Sequence, residues 1–220
     1  MSRAKAEVPF VVPAAVWMGK VLSLGDTTVG KTTIILRYTK LSNPKRVVST
    51  IGVDFKSKIV KTKDNKRVKV LLWDTAGQER FRGVATNYFH GSDAVLLVFD
   101  ISSKRTFNLL PFWIEQLKLK RNLSELNLFL VGNKKDLAHV RQVENTEIQS
   151  FVRQNDIKQY FEVSALENVG IDEMFEEIVK ESVELVLRRD GDNASEYGRK
   201  TRLEDSVQGT RVKNSKGGCC

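Results

Sequence analysis

Cysteine is nearly absent from this chain: its 220 residues include two, side by side at Cys219 and Cys220. Adjacent cysteines close no useful loop and have no other partner, so a disulfide framework is excluded and a reducing, cytosolic setting is expected. No apolar run approaches the roughly 18–20 residues of a spanning helix, so nothing is expected to cross a bilayer. The segment most like a secretory signal, VPFVVPAAVWM at residues 8–18, is interrupted by Pro9 and Pro13. It also lacks a small-residue cleavage site and leads directly into strand-like sequence. No internal repeat is evident. Positive charge is in excess, at +9, which suits nucleic acid, an anionic membrane, a phosphate ligand or simply a solvated lysine-rich surface. Charge alone does not choose among them. An apolar content of 41% is ample for one packed domain with tails.

Short apolar runs recur at Lys20–Leu24, Val68–Trp73, Ala94–Asp100, Leu126–Gly132 and Tyr160–Ser164. Bounded by Gly, Asp and Asn and lacking period-2 polarity, they suit parallel strands buried on both faces. Segments of helical spacing lie between them at Lys31–Thr39, Thr106–Leu119, Glu144–Asn155 and Ile171–Leu187. The alternation predicts a doubly wound α/β domain. Two strand-like runs in residues 53–74 are separated only by KDNK, a hairpin signal. The sheet should therefore be mixed: six strands, five parallel and one antiparallel edge strand, with helices on both faces. After Leu187 apolar periodicity ends, so residues 190–220 are expected to form a flexible tail, residues 1–18 an extension, and residues 19–189 the domain.

The chemistry concentrates at strand ends. GDTTVGKTT at Gly25, Asp26, Thr27, Thr28, Val29, Gly30, Lys31, Thr32 and Thr33 fits the pattern G-x-x-x-x-G-K-T between a strand and a helix. Backbone N–H groups of such a loop surround phosphates, Lys31 reaches the outer phosphates, and the Thr32 hydroxyl ligates Mg²⁺. WDTAGQ ends the third strand and puts Asp74 at the carboxyl edge, where it can hold Mg²⁺ through water. There the Gly77 N–H can approach a terminal phosphate and Gln78 can orient an attacking water. NKKD follows the fifth strand and SAL the sixth. An ionised Asp136 can pair with the N1–H and 2-amino group of guanine, which adenine cannot offer, while Asn133 and Lys134 belong to the supporting loop. Ser164, Ala165 and Leu166 complete the base loop, with the Ala165 N–H meeting the guanine oxygen.

GDTTVGKT, STIGVDF, WDTAGQERF, GNKKD and VSA, in this order and spacing, resemble the Rab branch of the Ras-like small GTPases over roughly Lys20–Leu187. The resemblance implies the P-loop small GTPase fold and a GTP/GDP switch with slow hydrolysis that serves vesicle-mediated trafficking. It also implies that Thr50, 19 positions after Lys31, ligates Mg²⁺ and the γ-phosphate only in the GTP state. Residues 41–54 and 76–88 are then the mobile switches. Lys31, Thr50 and Gln78 form the implied catalytic set, and Thr32, Thr50 and Asp74 the metal set. Ile51, Gly52, Val53, Asp54, Phe55, Trp73 and Tyr88 form the implied effector surface. Cys219 and Cys220 resemble the Rab ending that receives two geranylgeranyl groups. A lipid-anchored monomer on the cytoplasmic face of an intracellular membrane, cycling with the cytosol, would meet an exchange factor, a GTPase-activating protein, a prenyl-lipid carrier and effectors. No nucleic-acid partner is expected, since no nucleic-acid motif is recognisable.

The sequence departs from that pattern in places. Asn43 stands where an aromatic normally covers the guanine, which would leave Tyr38 or Pro44 to close the site, and Val47 replaces another switch aromatic. Leu166 replaces a lysine whose stem packs on the base. Thr28, being β-branched, would be strained if its backbone needs positive φ. These features keep a second expectation open: a membrane-anchored pseudo-GTPase that holds nucleotide weakly and recruits partners with little turnover.

Overall fold

The computed structural model describes residues 17–40, 50, 52–61, 67–75 and 88–193. Six strands form one sheet: β1 (Trp17–Leu24), β2 (Val53–Lys61), β3 (Arg67–Thr75), β4 (Ala94–Asp100), β5 (Asn127–Asn133) and β6 (Gln159–Glu162). Their order is β2-β3-β1-β4-β5-β6. Only β2 runs antiparallel, against β3; the other neighbours are parallel. The helices are α1 (Lys31–Thr39), α2 (Lys104–Asn108), α3 (Leu110–Lys118), α4 (Asn145–Gln154) and α5 (Ile171–Asn193). A 3-10 turn at Leu123–Glu125 and a 3-10 stretch at Lys135–Val140 complete the described elements.

Successive strand side chains point to opposite faces, so one strand can feed two cores. In β4, Ala94, Leu96 and Val98 pack with Ile34 of α1 and Phe175 of α5. The alternating Val95, Leu97 and Phe99 join Trp113 of α3 and Ile148 of α4 in the second core. The central strands β4 and β5 are buried on both faces, as their continuous apolar runs require. β3 and β2 lie toward the edge and are half open; in β3 buried residues alternate with half-buried ones.

The structure differs from expectation at several boundaries. The segment expected as one helix from Thr106 divides at Leu109, and Pro111 sits in the first turn of α3. Proline has no N–H to continue a helix but suits its start. The sixth strand stops at Glu162, because Val163 and Ser164 turn into the base loop. α5 continues six residues beyond the expected Leu187, and β1 begins three before Lys20. No helix among the described residues is long and apolar enough to cross a membrane.

Candidate nucleotide site

The loop after β1 is shaped by two glycines. Gly25 has φ +147°, and a Cβ there would lie 2.2 Å from the Val98 carbonyl oxygen. Gly30, at φ +96°, would place a Cβ 2.2 Å from Asn133 Nδ2. Neither contact leaves room for a side chain, so strand β4 and Asn133 fix both identities. Between them Thr28 adopts φ +61°, the left-handed conformation that disfavours β-branched residues; its side chain is exposed. Lys31 bends back, its Nζ donating to the carbonyls of Gly25 at 3.1 Å and Asp26 at 2.7 Å. Burial pushes its ammonium down to about 8, against the opposing pull of Asp74 and Asp26. Asp26 is itself buried, and its Oδ2 lies 2.5 Å from Arg105 Nη1 of α2 without hydrogen-bond alignment.

The three expected metal ligands converge. Thr32 Oγ1 donates to Asp74 Oδ2 at 2.5 Å and lies 2.8 Å from Thr50 Oγ1, which reaches the same carboxylate oxygen at 3.2 Å. Asp74 Oδ1 is buried and has no hydrogen-bond partner. Burial raises the Asp74 carboxyl above its ordinary range, while Thr32, Lys31 and Thr50 pull it back. Two hydroxyls and a carboxylate with one oxygen to spare are hard ligands that fit Mg²⁺. Among the described residues no cluster of three His, Cys, Asp or Glu side chains could hold a metal ion.

Asn133, 2% exposed, ties three loops together. Its Nδ2 donates to the Val29 carbonyl at 2.7 Å, and its Oδ1 accepts from the Ala165 N–H at 3.0 Å. That N–H, expected to meet a guanine oxygen, is therefore bonded to Asn133. Asp136 Oδ1 accepts from the buried Ser164 hydroxyl at 2.5 Å, which orients the carboxylate toward the SAL loop. Lys134, at φ +66°, turns its ammonium onto Asp100 Oδ2 at 2.7 Å. Leu166 is 60% exposed. Tyr38 cannot act as the missing lid: it is buried and stacks on Phe175 of α5 with centroids 3.9 Å apart.

The expected effector aromatics assemble. Trp73 meets Phe55 at 5.3 Å and Tyr88 at 5.1 Å between centroids. Gly52 precedes β2, and Val53 and Asp54 begin it, with Asp54 paired to Lys56. Ile51, Gly77, Gln78, Asn43, Val47, Pro44, Cys219 and Cys220 lie outside the described residues, as does most of both expected switches.

Three positioning residues were not legible in the sequence. Arg37 of α1 donates to the Ala165 carbonyl at 2.8 Å and the Leu166 carbonyl at 2.5 Å, fastening the base loop to the helix that begins at the phosphate loop. Arg105 reaches Asp26. Lys20 Nζ donates to the Tyr88 and His90 carbonyls at 2.6 and 2.8 Å and lies 4.7 Å from the Trp73 ring centroid. Each acts across a large sequence separation, and no local pattern marks them.

A glycine-cornered loop after β1, a cluster of hard oxygen donors and the NKKD and SAL loops, gathered at the carboxyl edge of a mixed sheet, have the arrangement of a P-loop domain of the small GTPase class. Comparison with known proteins agrees: residues 20–184 match the Ras family. The Ras-related protein RabJ of Dictyostelium discoideum is 39% identical over 84% of this chain and 70% of its own length. The GTP-binding protein YPT1 of Saccharomyces cerevisiae is 34% identical, over 93% of this chain and 97% of its own. The GTP-binding protein ypt3 of Schizosaccharomyces pombe is 32% identical, over 93% and 96%. This chain belongs to the Ras family of small GTPases, on its Rab side.

Proposed function

We propose that this protein is a switch of membrane traffic that binds Mg²⁺ with GTP or GDP, hydrolyses GTP slowly to GDP and phosphate, and recruits effectors in its GTP form. The observation that carries this is the Thr32–Thr50–Asp74 triangle, which joins α1, the segment before β2 and the end of β3 at a single carboxylate oxygen. Thr32, Thr50 and Asp74 would hold Mg²⁺, with Asp74 acting directly or through water. When bound, the ion would supply positive charge that offsets the charge developing on the phosphates. Lys31 offers its ammonium to the outer phosphates, and Asp136, oriented by Ser164, reads guanine. Gly77 approaches the terminal phosphate, and Gln78 orients the attacking water. Loss of the γ-phosphate frees Thr50 and with it the segment before β2, which is the switching step.

Phe55, Trp73 and Tyr88 form the platform on which effectors dock, with Ile51 to Asp54 beside it. Residues 19–189 act as the switch domain. Residues 190–220, of which 190–193 still belong to α5, act as a tether whose Cys219 and Cys220 carry two isoprenoid chains, since one chain alone gives only marginal attachment. The protein works as a monomer on the cytoplasmic face of an intracellular membrane, and it returns to the cytosol when a carrier hides its lipids. An exchange factor and a GTPase-activating protein set the cycle's direction. Thr28 in a left-handed conformation favours the second reading, a weakly loaded anchored module with little turnover.

Single-turnover hydrolysis separates the two. The switch reading expects an intrinsic rate on the order of 10⁻⁴ to 10⁻³ s⁻¹. It also expects slower turnover in Gln78→Leu and weaker Mg²⁺ and GTP binding in Thr32→Asn. Indistinguishable basal and stimulated rates in wild type and Gln78→Leu would remove Gln78 from the mechanism.

A further inference from the structure

Seven of the 14 residues from 56 to 69, a stretch that includes the end of β2 and the start of β3, are Lys or Arg, and one is acidic. Two of these cations are taken up internally: Lys56 pairs with Asp54, and Lys58 pairs with Asp172 while lying 3.6 Å from the Tyr38 ring centroid. Lys61, Arg67 and Lys69 have no ion pair among the described residues. Lys61 and Arg67 stand opposite one another across the two strands, and Lys69 stands opposite Ile59, which is 49% exposed.

Sheet register gives the depth of this cluster. Leu72, Val21, Ala94 and Asn127 share one level across four strands. Arg67 precedes Leu72 by five residues, about 17 Å further from the nucleotide loops at the rise of a strand. α5 passes the same level at Glu181, whose carbonyl accepts from Asn127 Nδ2 at 3.0 Å. It then runs 12 residues more to Asn193, roughly 18 Å along its axis. Val186 of α5 belongs to the same core cluster as Val60 and Val68, the residues beside the cationic pair. The hairpin's basic end and the point where the chain leaves α5 toward Arg211, Lys213, Lys216 and the two cysteines therefore lie at one end of the domain, opposite the nucleotide loops.

We infer that Lys61, Arg67 and Lys69 form a second membrane contact, a cationic edge that lies on an anionic leaflet and turns the nucleotide loops away from it. This inference rests on the proposal that the tail anchors the domain. Each cation at such a surface is worth about fivefold in binding. The attraction decays within a Debye length of ~8 Å at physiological salt, so Lys69, about 7 Å further in, contributes less than Lys61 and Arg67.

The test uses the unlipidated full chain, co-sedimented at low salt with phosphatidylcholine vesicles with and without about 30% phosphatidylserine. Wild type should bind only the phosphatidylserine vesicles and release in about 0.5 M salt. Lys61→Glu with Arg67→Glu and Lys69→Glu should lower that binding at least tenfold, with GDP binding and thermal unfolding unchanged. The milder Lys61→Ala with Arg67→Ala, which serves should charge reversal disturb folding, should lower it roughly 10- to 25-fold. Arg211→Glu with Lys213→Glu and Lys216→Glu should add a separate loss. Phosphatidylserine binding within twofold of wild type in both hairpin variants overturns the inference and assigns the cations to an acidic protein partner; absence of phosphatidylserine-dependent binding by wild type also overturns it. Failure of the anchor proposal shows elsewhere, as missing isoprenoid mass on Cys219 and Cys220 in cells.

Discussion

Replacing Asn133 by alanine removes the side chain that holds the phosphate loop to the base loop. Two bonds disappear, the one Nδ2 donates to Val29 at 2.7 Å and the one Oδ1 accepts from the Ala165 N–H at 3.0 Å. Asn133 is 2% exposed, so the Val29 carbonyl and Ala165 N–H are left where water enters poorly. An orphaned buried polar group costs about 1–3 kcal/mol, which puts the change at roughly 2–5 kcal/mol once the Ala165 N–H finds a partial substitute. For a domain of this size 1 kcal/mol shifts the melting temperature by about 2–4 °C. Nucleotide-free Asn133→Ala should therefore melt about 5–15 °C below wild type. Release of a fluorescent GDP analogue should also accelerate at least tenfold, since the two loops that grip phosphate and base no longer move as one. Asn133→Asp keeps an acceptor for Ala165 but faces the Val29 carbonyl with a second acceptor, so it should lose stability without recovering the release rate. A melting temperature within 2 °C of wild type together with unchanged GDP release would refute the assignment of Asn133 as the clamp.

Thr28→Gly relieves a left-handed β-branched residue, worth ~1–2 kcal/mol, while adding glycine's backbone entropy of ~0.5–1 kcal/mol. It should gain up to about 1 kcal/mol in denaturant unfolding and slow GDP release; a loss of stability would show that the Thr28 side chain contributes contacts of its own. Burial alone would raise the Asp100 carboxyl, but bonds from Lys134 and Ser102 outweigh it and hold the group below its ordinary range. Its contribution to stability is thus present above the usual carboxylate value of about 3.9 and is lost as pH falls through the lower folded value. Asp100→Asn should flatten that acid limb in pH-dependent unfolding, and an unaltered limb would remove Asp100 from it. Cys220→Ser should carry one isoprenoid and the double serine variant none by intact mass, with membrane fractionation falling in that order; a double variant that still pellets with membranes would refute lipid anchoring through these cysteines.

Much of the architecture was legible because central strands buried on both faces must be continuously apolar. β4 was placed to the residue, and β5 to within one at each end. The antiparallel pairing of β2 with β3 was marked, too, by the KDNK between them. Boundaries were lost where tertiary demands override periodicity: Pro111 restarts a helix inside one apolar pattern, and Val163 leaves β6 to build the base loop. The site was legible where chemistry requires a motif, as at Gly25, Gly30, Lys31, Thr32 and Asp74. Arg37, Arg105 and Lys20 were not, because an arginine or lysine that bonds a distant backbone carbonyl or a buried carboxylate has no signature in its own neighbourhood. Tyr38 illustrates the converse. Its position beside the expected lid suggested ring cover, but α5 claims it for the core.

The most direct test of the switch is the nucleotide that the purified full chain carries and what Mg²⁺ removal does to it. The Thr32–Thr50–Asp74 site, with Asp136 reading the base, predicts close to one guanine nucleotide per chain, mostly GDP. Chelation of Mg²⁺ should speed its release by at least tenfold, and ATP or ADP should not compete. A chain that purifies empty, carries adenine nucleotide, or releases GDP at the same rate with and without chelator would contradict the central claim.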